Sequence, residues 1–385
     1  MGFVALILAL ALERLRPLPR DNLLNGALAR LADAVSGATD SGERRHGVLG
    51  GCLAIGAVVL AVVVAERLLA GLSALLVVAL HVAVLYQTVG LRQVREALAE
   101  IRAALRADDP DGARAALQRW VRQEDPGFVA GDGPVSEVCR TAIVHALRVT
   151  HRHLFGPLFW YMLLPGVVGP VLYCTARFLA AHWEGGGRRA AAPGPAQSNP
   201  PVPADPAGGA GDHVPADPAV AAGPEVAVGP EVAVGPAPAH ESAYGWFARR
   251  AFLWLDWVPV RLAAAGFAIV GNFEDAVYCW RATAAGAPMQ DQQQIVVMAG
   301  GGALGVRLAD PGAEAVRRGP GATAEQEPAG AAPVSGPAAA GPALDWQGAE
   351  ADVGSLRGAV GLVWRSVILW ILLFAMLTVA NWLGR

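Results

Sequence analysis

Apolar residues gather along this chain into uncharged runs of membrane-crossing length. A bilayer core about 30 Å thick is crossed by a helix of about 20 apolar residues. Residues 47–65, GVLGGCLAIGAVVLAVVVA, carry no charge; Glu66 and Arg67 interrupt; residues 68–86, LLAGLSALLVVALHVAVLY, carry only His81. Together they predict a transmembrane hairpin, 47–86, with its tip at Glu66–Arg67. Residues 154–176 form a third run, and 366–383 a fourth within a C-terminal transmembrane helix, 358–385. Pro157, Pro165 and Pro170, with Gly156, Gly166 and Gly169, are expected to break the third run repeatedly and expose backbone groups that need partners. The run Gly2–Leu12 is too short to span and stops at Glu13 and Arg14. Because its basic residues, Arg14, Arg16 and Arg20, follow it, it reads as a retained short or half-inserted helix and not as a signal peptide. The predicted fold class is all-α, a polytopic integral membrane protein with about four to five membrane segments and a small helical cytoplasmic loop domain.

Between the runs the pattern turns amphipathic. In LRQVREALAEIRAALR, Leu91, Val94, Leu98, Ile101 and Leu105 recur at helical spacing with charges elsewhere on the wheel. Asp108, Asp109 and Asp111 precede a second helix, Gly112–Gln123, where carboxylates suit the positive helix end. Ser136 and Glu137 open a third that feeds into the run at 154. Loops 13–46 and 87–153 are rich in arginine and flank the same hairpin, so both are expected in the cytoplasm. The 184–242 linker then lies outside if 154–176 crosses fully. Residues 184–242 repeat VPADPA and GPEVAV, and 308–343 are similarly rich in Ala, Gly and Pro. Such segments cannot bury enough apolar surface to offset chain entropy and are expected to be disordered. The resulting organisation is an N-terminal membrane region, 1–183, a linker, 184–242, a re-entrant or membrane-packed helical segment, 243–307, a second linker, 308–343, and the C-terminal helix.

Composition narrows the chemistry. The chain is 54% hydrophobic with a net charge of −3, so no basic field for nucleic acid is present. All its basic side chains other than histidine are arginine, which is a coding bias and not a site. Cys52, Cys139, Cys174 and Cys279 lie far apart with no CxxC pair, so neither a zinc site nor a disulfide framework is indicated. The charges worth following sit at membrane boundaries. HALRVTHRHLFGPLFW, His145–Trp160, holds three histidines; His151 and His153 face apart on a helix, poor metal geometry. Arg148 and Arg152, at i,i+4, form a basic ridge suited to lipid headgroups or to a phosphorylated or carboxylated ligand. In 246–271, WFARRAFLWLDWVPVRLAAAGFAIVG, Asp256 and Arg261 each cost about 2.5–3.5 kcal/mol on insertion. The segment is therefore expected to pack inside the protein or dip into the membrane, with the two charges paired to each other or to other groups. Val258 before Pro259 predicts a new helix starting at Pro259.

At these residues the sequence resembles a known family. LDWVPVRLAAAGFAIVGNFEDAV (Leu255–Val277), PLFWYMLLPGVVGPVLY (Pro157–Tyr173) and ERL (Glu13–Leu15) look like AmpE, an inner-membrane family linked to β-lactamase regulation and cell-wall recycling. AmpE is in turn similar to the CobD/CbiB enzymes, which attach the aminopropanol arm in cobalamin synthesis. ALRADDPDGARAAL (Ala104–Leu117), Arg140 and Gly245–Trp246 also match. The resemblance covers roughly residues 1–180 and 244–281. It implies a multi-pass protein of the bacterial inner membrane. The polar run before PLF in the CobD/CbiB pattern falls here on Val144 and on Arg148, Val149, Thr150, His151 and Arg152, where only Thr150 is kept. Its GRD motif falls on Arg122, Gln123 and Glu124, and its NTLD motif on Arg177, Phe178, Leu179 and Ala180. A ligase needs carboxylates for a charged intermediate, so the expected role is a non-catalytic signal modulator. The rival reading is an adenosylcobinamide-phosphate synthase-like enzyme. Candidate ligand-binding residues are Asp256, Arg261, Arg140, Arg148, Arg152 and Pro259; no catalytic residue, metal ligand or cofactor is indicated. Expected partners are the lipid bilayer, an anionic small molecule and a membrane or cell-wall-recycling protein, with no nucleic acid.

Overall fold

The computed structural model describes residues 2–15, 23–39, 44–88, 91–191, 243–286, 292–309, 346 and 348–384. Residues 192–242 and 310–343, most of the two low-complexity segments, fall outside these residues. Helices make up most of the described residues: α1 (Gly2–Leu15), α2 (Leu23–Thr39), α3 (Arg44–Leu72), α4 (Ala74–Thr88), α5 (Leu91–Arg106), α6 (Pro110–Val121), α7 (Val135–Thr150), a π turn (His151–Phe155), α8 (Gly156–Leu163), α9 (Val168–Ala191), α10 (Ala243–Val270), α11 (Phe273–Gly286), α12 (Gln293–Leu304) and α13 (Val353–Leu383). Among them the one β feature is a parallel bridge between Val306 and Ala349. Gly47–Leu72, Ala74–Arg106, Ala243–Val270 and Val353–Leu383 are long and apolar enough to cross a membrane. The fold is thus all-α and of the polytopic membrane class.

Helices α3 and α4 fold back on each other, bringing Glu66 Oε1 to 3.3 Å from His81 Nε2. The turn between them is at Ser73, whose Oγ accepts from Leu75 N at 3.2 Å, and not at Glu66–Arg67. The predicted tip is corrected accordingly: Glu66 is bound by His81 across the hairpin, so its charge did not need a solvent-exposed turn. Helix α1 lies along α4 with Ala5, Leu6 and Ala9 buried.

The run 154–176 is broken once, where repeated breaks were expected. Pro157 opens α8 directly after the π turn, whose widened i→i+5 spacing accommodates a residue without an N–H. Pro170 stands in the first turn of α9, where helix N–H groups have no intrahelical partner. The break falls at Leu164–Val167, where Gly166 takes φ +68° beside the Glu66 carboxylate. Helices α8 and α9 then pack side by side, and Gly156 is required because any Cβ there would enter the Tyr173 ring. Helix α9 continues to Ala191, past the expected start of the linker at 184.

The amphipathic segment forms a three-helix unit. Val94, Leu98 and Ile101 of α5 are buried, and α5 packs on α6 and α7. Asp109 caps α6, accepting from Gly112 N at 2.8 Å, so this helix begins at Pro110, slightly before the expected Gly112. Helix α7 joins the unit to the membrane helices, burying Cys139, Ala142, Ile143, Ala146 and Leu147 against α12 and α13. The start of α13 is fixed by Asp352 and Ser355 capping each other's backbone N–H.

Candidate functional site

Helix α10 is one helix from Ala243 to Val270 with Pro259 inside it, so no new helix begins at Pro259. A proline there removes the N–H that would bond the carbonyl of Leu255. That carbonyl instead accepts from Trp160 Nε1 of α8, at 3.2 Å. The backbone deficit is met from a neighbouring helix, which lets the helix run on.

One turn earlier, Asp256 points into the protein and is 1% exposed. Its Oδ1 accepts from His151 Nε2 at 2.7 Å and from the Tyr173 hydroxyl at 2.8 Å, and its Oδ2 accepts from Gln293 Nε2 at 3.2 Å. The π turn, α9 and α12 therefore converge on one carboxylate. Arg261 is not its partner, so of the two alternatives Asp256 takes the pairing to other groups. Five residues of helix separate the two by about 140° around the axis. Arg261 Nη1 donates to the Trp257 carbonyl at 2.9 Å, and its guanidinium lies 3.9 Å from the Trp257 ring centre on the outer face.

The chain of bonds continues outward from Asp256. Gln293 Oε1 accepts from Arg152 Nε at 2.7 Å, and Arg152 Nη1 reaches Glu124 Oε2 at 3.1 Å. Glu124 Oε1 lies 3.0 Å from His153 Nε2. Alongside, Arg148 Nη2 donates to Gln294 Oε1 at 3.1 Å. Burial works to raise Glu124, but the hydrogen bond and charge of His153, with Arg152 and Arg177, hold its carboxyl down at about 2. Burial and Arg177 lower His153 in turn. Burial, with Arg152, Arg148 and His153 added, pushes His145 down to about 4 against the pull of Glu124. Three buried groups near this seam, His151 Nδ1, His145 Nε2 and Arg177 Nε, have no hydrogen-bond partner among the described residues.

Of the six predicted site residues, Asp256, Arg148 and Arg152 come together here. Pro259 is buried below them in α10. Arg140 lies two turns back along α7, 3.9 Å from Glu137, and Arg261 is on the opposite face of α10. His151 and Glu124 were visible in the sequence but were set aside: one as half of a poor metal pair, the other as a lost motif position. Trp160 and Tyr173 fall inside the matching string Pro157–Tyr173 but nothing local marked their roles, and Gln293 had no signal, since each matters only through a helix remote in sequence. Among the described residues no group of three or more His, Cys, Asp or Glu could hold a metal ion. A second polar cluster sits in the hairpin: His81 Nδ1 is 2.9 Å from the Tyr161 hydroxyl, which donates to the Gly2 carbonyl at 3.1 Å.

Comparison with known proteins accounts for both halves of this arrangement. Residues 3–184 match the CobD/Cbib protein family, and residues 247–301 match the regulatory signalling modulator protein AmpE. The first segment supplies His151, Arg152 and Tyr173, the second Asp256 and Gln293. A cobalamin biosynthesis protein CobD from Stutzerimonas stutzeri is 28% identical over 377 residues, 96% of each chain. Another from Chromobacterium violaceum is 27% identical over 234 residues, 61% of this chain and 56% of that one. No solved structure matches. The chain is thus similar to the CobD/Cbib family across residues 3–184 and to AmpE across residues 247–301.

Proposed function

We propose that this protein is a regulatory, signal-modulating protein of the bacterial inner membrane that binds an anionic ligand at the Arg148–Arg152 ridge. One observation carries the reading: α12 holds both arginines, Arg148 through Gln294 and Arg152 through Gln293, and Gln293 also donates to buried Asp256. An arginine fixed in this way presents its remaining donors in a set direction, which favours a carboxylate or phosphate. Both acids of the seam already accept from two or more donors. They act as positioning groups, whereas an amide-forming ligase needs carboxylates available for its charged intermediate.

The seam belongs at the cytoplasmic side, with loops 13–46 and 87–153 there together. The bond from Arg92 N to Glu13 Oε1, at 2.9 Å, supports a shared side by joining the ends of the two loops. Cysteine labelling of Ala38→Cys and Gly131→Cys is expected to report the same side. The ligand is a small anion, and the relayed signal goes to a membrane or cell-wall-recycling protein and not to nucleic acid.

The near full-length likeness to a CobD protein favours a second reading, a cobinamide-phosphate synthase-like enzyme. Deleting the gene separates the two. The regulatory reading expects an altered β-lactam response and unchanged growth without cobalamin, with Arg152→Ala failing to restore the response at wild-type protein level. A cobalamin requirement cured by the wild-type gene would establish the enzyme instead.

A further inference from the structure

The outer face of α10 carries a pattern that the inner seam does not use. Trp246, Arg250, Trp254, Trp257 and Arg261 follow one another at spacings of four, four, three and four residues. At about 100° per residue they fall within one arc of about 80°. Trp254 is 61% and Trp257 42% exposed. Each arginine sits on an indole: Arg250 is 5.8 Å from the Trp246 ring centre and Arg261 3.9 Å from that of Trp257. Among the described residues neither has a carboxylate partner. The rest of this face is apolar, with Val258, Leu262 and Ile269 exposed, and the helix is one of the four candidate spans.

A guanidinium on the lipid-facing side of a span must find a counter-charge or bear the cost of leaving water. Cation–π contact and one backbone carbonyl occupy part of Arg261, and its planar fork is left with further N–H donors suited to phosphate. Indoles beside it favour the boundary between headgroup and acyl chain. We infer that this face binds an anionic phospholipid whose phosphate is held by Arg261, with Trp254 and Trp257 flanking the acyl chains; Arg250, about 16 Å away along the helix, is too far to share that phosphate. A cation without an acid favours a lipid of net negative charge over a zwitterionic one, whose own ammonium would compete. A soluble anion would leave Val258, Leu262 and Ile269 in water. A second copy of the chain, docked about a two-fold axis, would set arginine against arginine.

The test is lipid retention by the full chain, extracted in mild detergent and offered phosphatidylglycerol and phosphatidylcholine in equal amounts, read by native mass spectrometry. Wild type is expected to prefer phosphatidylglycerol by about twentyfold, with Arg261→Gln lowering the preference about fivefold and Arg250→Gln leaving it largely unchanged. Arg261→Lys keeps the charge without the fork and is expected to fall between. Equal retention of the two lipids by wild type, or an undiminished preference in Arg261→Gln, would overturn the proposal. So would displacement of the lipid by millimolar inorganic phosphate, which marks a soluble-anion site, or lipid-free dimerisation lost with Trp254→Ala.

Discussion

The two faces of α10 solve one problem in opposite ways. Asp256 and Arg261 lie five residues apart in an apolar helix, and each is costly to remove from water. The acid turns inward and gathers His151, Tyr173 and Gln293 from three other elements. The arginine turns outward and relies on its own helix, through the carbonyl and ring of Trp257. The inner charge is thereby part of the packing, and the outer one is an appendage available to something else. Charges close in sequence need not be partners in a membrane helix, where facing decides what each one meets.

The largest effect should come from the inner charge. Asp256→Ala strips three donors of their acceptor and is expected to cost about 3–5 kcal/mol in denaturant unfolding of the detergent-solubilised protein. Adding Arg261→Gln should neither rescue nor worsen it, because the two sites share no partner; a double variant more stable than Asp256→Ala would restore the direct pair and collapse the contrast. Next, Trp160→Phe leaves the Leu255 carbonyl without a donor, at about 1–3 kcal/mol. In a Pro259→Ala background, which returns the backbone N–H, the same change should cost clearly less; an undiminished cost would mean that the indole acts only by packing.

Acidification gives a smaller, graded separation of the faces. His145 and Glu124 both have folded values below their ordinary ones, about 4 against 6.5 and about 2 against 4.5. Each therefore contributes stability that is complete above the ordinary value and lost as pH falls through the folded one. Melting temperature is expected to hold above pH 6.5, decline towards pH 4 as His145 is forced to charge, and decline further below 4.5 as Glu124 protonates. His145→Gln should remove the first stage and Glu124→Gln the second, while lipid retention at Arg261 stays level from pH 8 to 5. The smallest effect belongs to Arg261→Gln on unfolding in detergent, within about 0.5 kcal/mol; a loss several times larger would place Arg261 in the core.

Much of this fold was legible because it rests on periodicity. The apolar runs became α3, α4 and α13, and the stripe Val94, Leu98 and Ile101 became the buried face of α5. The errors arose where a distant side chain changed a local rule. Pro259 fails to break α10 because Trp160, on another helix, serves the freed carbonyl. Glu66 fails to mark the turn because His81 meets it across the hairpin. The same holds at the site: Arg148 and Arg152 announced themselves by i,i+4 spacing, whereas Gln293, about 140 residues further on, is joined to Arg152 and Asp256 only by folding.

The π turn at His151–Phe155 acts as a phase shifter. A turn of this kind carries one residue more than an α-helix would use over the same rise, so everything after it is rotated relative to α7 by about 100°. That offset lets α7 send Arg148 to α12 while α8 sends Trp160 to α10. A chain one residue shorter between Thr150 and Gly156 would keep every hydrophobic residue of α8 and still lose the indole bond that carries α10 past its proline. The length of this short stretch is therefore as much a determinant of the fold as the identity of the residues around it.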